Sequence, residues 1–302
     1  MKKLLLNLAL GSLIFASACR KDHTEDPGSV IENTEKVPVE FSLSTFTQTI
    51  VDLKSGIAPH TLADTLNNHI SYLYCRIYND QQQLVFSEDQ TASNPSFGKI
   101  NSVLGPGNHY AVFMGSKSPV QLNAGAAVTL SNASMQFDQG APTPDAFVKR
   151  FSFSVSGAPV SHAIKMTRIV AGLNVIIEDA IPSAVKNIQV SISEEQYMYK
   201  FSDSTRSGVI PKSVNFPITA AEAGATNKTL KSYVFKVNVP TTTVIVKAYN
   251  ETNVLLYEKT IPNVTFYVNK VTTLTGKLFS SQATYNVTTN TVWDTPAPVV
   301  SF

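Results

Sequence analysis

Val37-Pro-Val-Glu-Phe-Ser-Leu-Ser44 alternates apolar and polar residues without a fault. A repeat of two places Val37, Val39, Phe41 and Leu43 on one face of an extended strand and leaves the other face polar. Short runs of this kind continue through the chain, at residues 70–78, 83–86, 99–104 and 109–114. After residue 146 they resume at 147–155, 164–178, 187–193, 196–201, 232–239, 243–249, 254–260, 264–268 and 271–279. Asn79-Asp80, Gly105-Pro106-Gly107 and later Pro and Asn residues separate them, which is turn chemistry. An all-β fold is predicted. Thr, Ser, Asn and Val prevail over Glu, Lys and Leu, so stiff β-branched side chains favour pleated surfaces over long helices. With 43% hydrophobic and 15% charged residues, a sizeable core can form, and both global disorder and a helical bundle are excluded. Residues 59–66 suit a short helix or a long connection, and residues 219–225 suit a turn or two of helix.

A length of 302 residues predicts two folded units. The best linker is Gln139-Gly-Ala-Pro-Thr-Pro-Asp145, which gives an N-terminal β-sandwich over 37–140 and a C-terminal one over 147–302. The halves also resemble each other. Tyr78-Asn79-Asp80 with Leu84-Val85-Phe86 aligns without a gap on Tyr249-Asn250-Glu251 with Leu255-Leu256-Tyr257, at an offset of 171. Ile100, Val103, Asn108, Tyr110, Phe113 and Gly115 align on Ile261, Val264, Asn269, Val271, Leu274 and Gly276, at an offset of 161. Two sandwiches of one topology are therefore expected, in competition with chance similarity between strand-rich segments.

The first residues carry the most specific local signal. Lys2-Lys3 is a positive n-region, residues 4–15 are apolar but short for a membrane span, and Ala16-Ser17-Ala18 is a small-residue cleavage site. Cys19 follows at once. Residues 1–18 read as a signal peptide, and Cys19 as the acylated first residue of a lipoprotein, although Ala-Ser-Ala also suits cleavage that releases a free secreted chain. Residues 19–36 read as the lipidated Cys and a polar tether carrying Asp22, Glu25, Asp26, Glu32 and Glu35. Without Lys2 and Lys3 the 24 basic residues become 22 against 22 acidic ones, so no net field attracts nucleic acid. With Cys19 lipidated, Cys75 is left without a disulfide partner and shares a strand face with Leu73 and Ile77, as an inert core residue would.

Catalytic and metal chemistry is not expected. His23, His60, His69, His109 and His162 are scattered singly, none at metal-ligand spacing from another, and His109 reads as a structural imidazole. Glu194-Glu195 are neighbours on a strand, point to opposite faces, and read as solvated turn residues. Gly105-Pro106-Gly107 leads from strand to strand and lacks the helix N-terminus of a phosphate loop. No nucleophile elbow, Walker loop or calcium loop is present, so no cofactor is expected and the chain does not read as an enzyme. The aromatic sets Tyr72/Tyr74/Tyr78 and Tyr197/Tyr199/Phe201 lie on single strand faces, as sheet packing or as a sugar-stacking platform.

A lipoprotein leader followed by Tyr72-Leu-Tyr-Cys-Arg-Ile-Tyr-Asn-Asp80, Leu84-Val85-Phe86 and Leu104-Gly-Pro-Gly-Asn-His-Tyr-Ala-Val-Phe113 resembles Bacteroidetes fimbrial anchor and accessory subunits. Met166-Thr-Arg168, Ile181-Pro182, Asn269-Lys-Val-Thr-Thr-Leu-Thr-Gly276 and the closing Tyr285-Asn-Val-Thr-Thr-Asn-Thr-Val-Trp293 are similar to the fimbrillin superfamily. The resemblance spans most of 37–293. It implies two tandem transthyretin-like β-sandwiches on a lipid anchor in the outer membrane at the cell surface, with an assembly or adhesion role. Fimbrial stalk subunits would be partners through strand-edge pairing, and a host or glycan ligand is a second possibility; residues 45–68 have no counterpart in it.

Within that family, stalk subunits lose an N-terminal strand to a protease and a neighbour's C-terminal strand fills the gap, whereas an anchor keeps its lipid and first strand. Residues 37–44 form a strand directly behind the tether, so its loss would sever the lipid. Pro296 and Pro298 leave one edge of the tail without N–H donors, which makes residues 294–302 a poor donor strand or a frayed terminus. An anchor or accessory subunit is expected. Cys19→Ser should release the protein from membranes, and the intact mass of the mature wild-type chain should show acyl groups on residue 19; a mature chain beginning there without acyl mass would refute lipidation.

Overall fold

The computed structural model describes residues 35–46, 66–235, 241–280 and 285–290. The leader, Cys19, most of the tether, His23, His60, Trp293 and the tail lie outside them. The described strands are β1 (Val37–Phe46), β2 (Tyr72–Asn79), β3 (Leu84–Thr91), β4 (Lys99–Leu104), β5 (Gly107–Ser116), β6 (Gln121–Asn123), β7 (Ser134–Gln136), β8 (Ala146–Val155) and β9 (Val160–Arg168). They continue as β10 (Ala171–Ile177), β11 (Asn187–Lys200), β12 (Arg206–Pro217), β13 (Lys228–Val234), β14 (Thr242–Tyr249), β15 (Leu255–Val264), β16 (Val271–Gly276) and β17 (Tyr285–Asn290). One helical turn, α1 (Leu66–His69), and a 3-10 turn at Ala220–Glu222 complete the elements. No helix among the described residues is long and apolar enough to cross a membrane.

The strands make two sandwiches. In the first, layer β3-β2-β5-β8 faces layer β9-β1-β4, and the two are stitched by Phe147↔Arg168 and Val148↔Thr167. Between them Phe41 of β1, Leu73, Cys75 and Ile77 of β2, Phe113 of β5 and Ile164 of β9 form a core, all at 2% exposure or less. In the second, layer β12-β11-β14-β15 faces β13-β10-β16-β17, around Leu173, Val175, Ile188, Val190, Val244, Val246 and Leu274. Each buried set follows the period of two, so the alternation in the sequence selects the inner face.

The order of pairing is the same in both. β1 runs antiparallel to β4 and parallel to β9, as β10 runs antiparallel to β13 and parallel to β16. β2 lies between β3 and β5, with β8 beyond, as β11 lies between β12 and β14, with β15 beyond. Seven strands of one topology therefore occur twice, and β17 is an addition on the outer edge of β16.

Three expectations need correction. The boundary predicted between 140 and 147 falls inside the first sandwich, because β8 pairs with β5 along its whole length and β9 pairs with β1. The chain passes from one sandwich to the other at Ile169-Val170, and Gln139–Asp145 is instead the loop before β8. The aligned segments at offset 171 are not equivalent strands: β2–β3 corresponds to β11–β12, whereas residues 249–257 belong to the β14–β15 hairpin. Their likeness comes from a shared turn. Asn79 and Asn250 each accept a side-chain hydrogen bond from the backbone N–H four residues on, and Gln82 and Asn253 take positive φ of 62° and 59°. Strand limits also move: 164–178 is broken at 169–170, the two runs 187–193 and 196–201 are one strand, Asn187–Lys200, through a bulge between Ile192 and Glu195, and β6, β7 and β12 were not anticipated.

The junction between the sandwiches is a third core. The β6–β7 hairpin leaves the first sandwich between β5 and β8 and joins the second one's sheet, where Ser134–Gln136 pair antiparallel with Met198–Lys200. Tyr74, Tyr78, Met135, Phe137, Phe201 and Phe235 pack beneath it. Arg168, 2% exposed, donates Nε and Nη2 to both oxygens of Asp145 at 2.7 and 2.8 Å and Nη1 to Asn269 of the second sandwich at 3.1 Å. The guanidinium also lies 4.9 Å from the Phe147 ring centroid. Removing one partner of a buried pair leaves the other charge uncompensated. Arg168→Ala should cost about 3–5 kcal/mol in urea unfolding; a loss below about 1 kcal/mol, the range of a surface ion pair, would show that this contact does not hold the junction.

Candidate functional site

β12 and β13 are the outer strands of the two layers of the second sandwich on the same side, and among the described residues each pairs on one edge only. Between them a cavity of about 450 Å³ opens. One wall is Val214 and Phe216, on the inward face of β12; the other is Lys231, Ser232 and Tyr233 of β13. The first sandwich supplies the roof, with Asn68 and His69 of α1, Lys117 and Ser118 after β5, and Pro142 and Pro144 before β8. Lys117 Nζ donates to the carbonyls of Asn67 and Asn68 at 3.0 and 2.9 Å, which fixes its ammonium at the rim. Asp145 also lines the cavity, but both its oxygens are held by Arg168.

Below the roof lies a buried polar cluster. The Thr143 hydroxyl donates to the Glu195 carboxylate, and the N–H of Phe235 donates to the same oxygen at 3.0 Å. Lys212 Nζ donates to Thr143 Oγ1 at 3.1 Å and to the Asp138 carbonyl at 2.9 Å. Glu195 is thus not the solvated turn residue predicted; the bulge in β11 turns it inward, and it is 2% exposed while Glu194 stays outside. Burial raises the Glu195 carboxyl above its usual value, against the Thr143 and Phe235 hydrogen bonds and the Lys212 charge. Burial likewise lowers the Lys212 ammonium, partly offset by Glu195 and Asp138.

The other residues named from sequence fall as follows. Cys75 is fully buried beside Leu73 and Ile77, and burial pushes its thiol well above the ordinary range, so it is no nucleophile. His109 Nε2 hydrogen-bonds the Gly105 carbonyl at 2.9 Å, and His162 stacks on Phe41 at 5.5 Å between ring centroids. His69 lies at the cavity. Tyr74, Tyr78, Tyr199 and Phe201 are buried in the junction core, so these aromatic sets are packing and not an open sugar platform; burial pushes the Tyr78 phenol up to about 12. Tyr197 covers Gly208, whose φ of +68° and contact with that ring exclude any larger residue. Among the described residues no cluster of three metal-ligating side chains occurs.

The first sandwich has the same open side, between β3 and β4. A cleft of about 440 Å³ there is lined by Lys36, Asp80, Val85, Val103 and the Gly105-Pro106-Gly107 turn. Val85 and Val103 are 43% and 57% exposed, and β3 offers an eight-residue edge unpaired among the described residues. Such an edge can accept a further strand. The cavity beside β12 was not foreseeable, because β12 reads as polar and proline-interrupted and the lining comes from five separate segments, β12 included.

Residues 126–300 match the sequence profile described as "Family of unknown function (DUF6562)". No curated protein matches the chain. Three solved structures share the fold at low identity. A candidate cell adhesion protein from Bacteroides eggerthii is 11% identical with a TM-score of 0.53, covering 84% of this chain and 95% of its own. A candidate adhesin from Bacteroides thetaiotaomicron is 8% identical at 0.51, covering 85% and 97%. Candidate polysaccharide binding proteins (DUF1812) of the same species are 7% identical at 0.50, covering 84% and 97%. The likeness extends over both sandwiches, which agrees with the tandem fold.

The Glu195 environment has a pH signature. Its folded-state pKa lies above the ordinary 4.5, so the folded chain holds this proton longer than the unfolded one. The stability it contributes is complete below pH 4.5 and is lost as the pH rises through the folded value. Glu195→Gln removes that titration while keeping an oxygen to accept from the Phe235 N–H. Urea midpoints between pH 4.5 and 8 should fall less steeply for the variant than for the wild type; parallel curves would contradict the burial of a titrating carboxyl.

Proposed function

We propose, for a chain that belongs to the family of unknown function DUF6562, the role of a lipid-anchored cell-surface subunit that assembles or adheres through its sandwich edges and carries out no catalysis. The observation that carries this reading is the place of β1. It lies between β4 and β9, hydrogen-bonded on both sides, with Val39 and Phe41 at 1% and 0% exposure. Strand β1 is the one that polymerising stalk subunits of the resembled fimbrial family would give up. Here its removal would take Phe41 out of a cluster with Phe113, Phe153 and His162 and split one layer of the first sandwich. A subunit that keeps this strand fills its own groove and suits the fimbrial base, as an anchor or accessory component.

The remaining surface agrees with such a role. β17 covers the outer edge of β16, whereas β3 and β4 leave an open side flanked by exposed Val85 and Val103. Adhesion is also what the similar Bacteroides eggerthii protein is described as a candidate for. The cell-surface address rests on the leader and Cys19.

The native protein tests this. Recovered from outer membranes, it should be N-terminally acylated, retain residues 37–46, and crosslink to polymeric subunits through cysteines placed at Val85 or Val103. Isolation as a lipid-free polymer trimmed past residue 46 would assign it instead to the stalk.

A further inference from the structure

We infer that the cavity between β12 and β13 is a binding site for an acidic saccharide unit, a pyranose ring that carries a carboxylate. This goes beyond the role proposed above and stands on the cavity itself, whether or not the chain sits in a fimbria. Its volume of about 450 Å³ lies within the range of pockets that enclose small ligands. It is formed by both sandwiches, and junctions between folded units are preferred places for such sites.

The charge balance selects the sign of the ligand. Lys117 and Lys231 line the cavity, and the carboxylate in its wall, Asp145, is already matched by the buried Arg168. Lys231 forms no ion pair among the described residues. Glu195, which holds the Thr143 hydroxyl of the lining, is 2% exposed and engaged by Thr143 and Phe235. The accessible charge is therefore positive, from ammonium groups and not from a guanidinium fork, with no helix N-terminus to cradle a phosphate. Ammonium groups act as point charges on a carboxylate or a phosphate alike, so the lack of a helix N-terminus among the lining residues is what favours the carboxylate here.

The remaining lining selects a ring with hydroxyls. Phe216, Tyr233, Pro142 and Pro144 present flat apolar surface, half-buried except for the exposed Pro142, which matches the C–H face of a pyranose. Asn68, Ser118 and Ser232 add amide and hydroxyl groups that can exchange hydrogen bonds with sugar hydroxyls. The site is held in shape from beneath, since Lys212 ties the Asp138 carbonyl and Thr143 to β12 and the Lys117 N–H donates to the Asp145 carbonyl at 3.0 Å.

Calorimetric titration of the mature chain with digalacturonate, neutral galactobiose and glucose 6-phosphate tests the assignment. Digalacturonate should bind with a millimolar or tighter constant and the neutral disaccharide at least about tenfold more weakly. Lys231→Gln, a change on an outer strand, should weaken digalacturonate about tenfold without altering the melting temperature. No binding of digalacturonate, equal binding of galactobiose, preference for the phosphorylated sugar, or an unchanged constant in a folded Lys231→Gln variant would each overturn it.

Discussion

Arg168 is the hinge on which the arrangement of the two sandwiches depends. It ends β9, the last strand of the first unit, and only Ile169 and Val170 lie between it and β10, which opens the second. At that place the chain has no room for a flexible linker, so the units must meet directly, and a guanidinium at 2% exposure must find all its partners inside the contact. It does so with Asp145 from the loop before β8 and Asn269 from the turn before β16. Charge-assisted, bidentate geometry fixes orientation as well as energy, because two parallel N–H donors hold the carboxylate in the plane of the guanidinium.

Around that contact the two units share backbone as well as side chains. The β6–β7 hairpin is an insertion of the first sandwich that serves as sheet for the second, and Phe137 N–H and Phe201 N–H donate across the seam to Tyr197 and Ala133 carbonyls at 2.8 and 2.9 Å. Tyr110 and Arg150 of the first unit both donate to the Phe201 carbonyl. A seam built in this way leaves the open sides as the places where strands end without partners. In the first unit that side lies beside Lys36, where the tether ends; in the second it is roofed by the first unit and becomes a cavity. The same seven-strand plan thus yields an edge in one copy and a pocket in the other.

Most of the strands were legible because burial follows the period of two. Val37, Val39, Phe41 and Leu43 are all buried, as their alternation requires, and Cys75 sits with Leu73 and Ile77. What was not legible depended on tertiary pairing. β12 carries Lys212 and Phe216 inward among Ser, Asn and Pro, and its place beside β11 comes from register and not from hydrophobicity. Glu195 reads as a surface residue until the bulge rotates it. The repeat lies in the strand order and not in the aligned residues: the Asn-anchored hairpin turns at 79–83 and 250–254 are local solutions to the same bend in different strand pairs, and the alignment at offset 161 sets β4 and β5 on β15 and β16, whereas their counterparts are β13 and β14. The cavity assembles short pieces of α1, the β5–β6 and β7–β8 loops, β12 and β13, so no single segment carries its signature.

Because the sandwiches share a sheet, a buried ion pair and an aromatic core, they should lose structure together. Differential scanning calorimetry of the mature chain measures this directly. A single transition whose calorimetric and van't Hoff enthalpies agree is the predicted result. Two resolved transitions, each with the enthalpy of one sandwich, would contradict a junction that binds both units into one cooperative body.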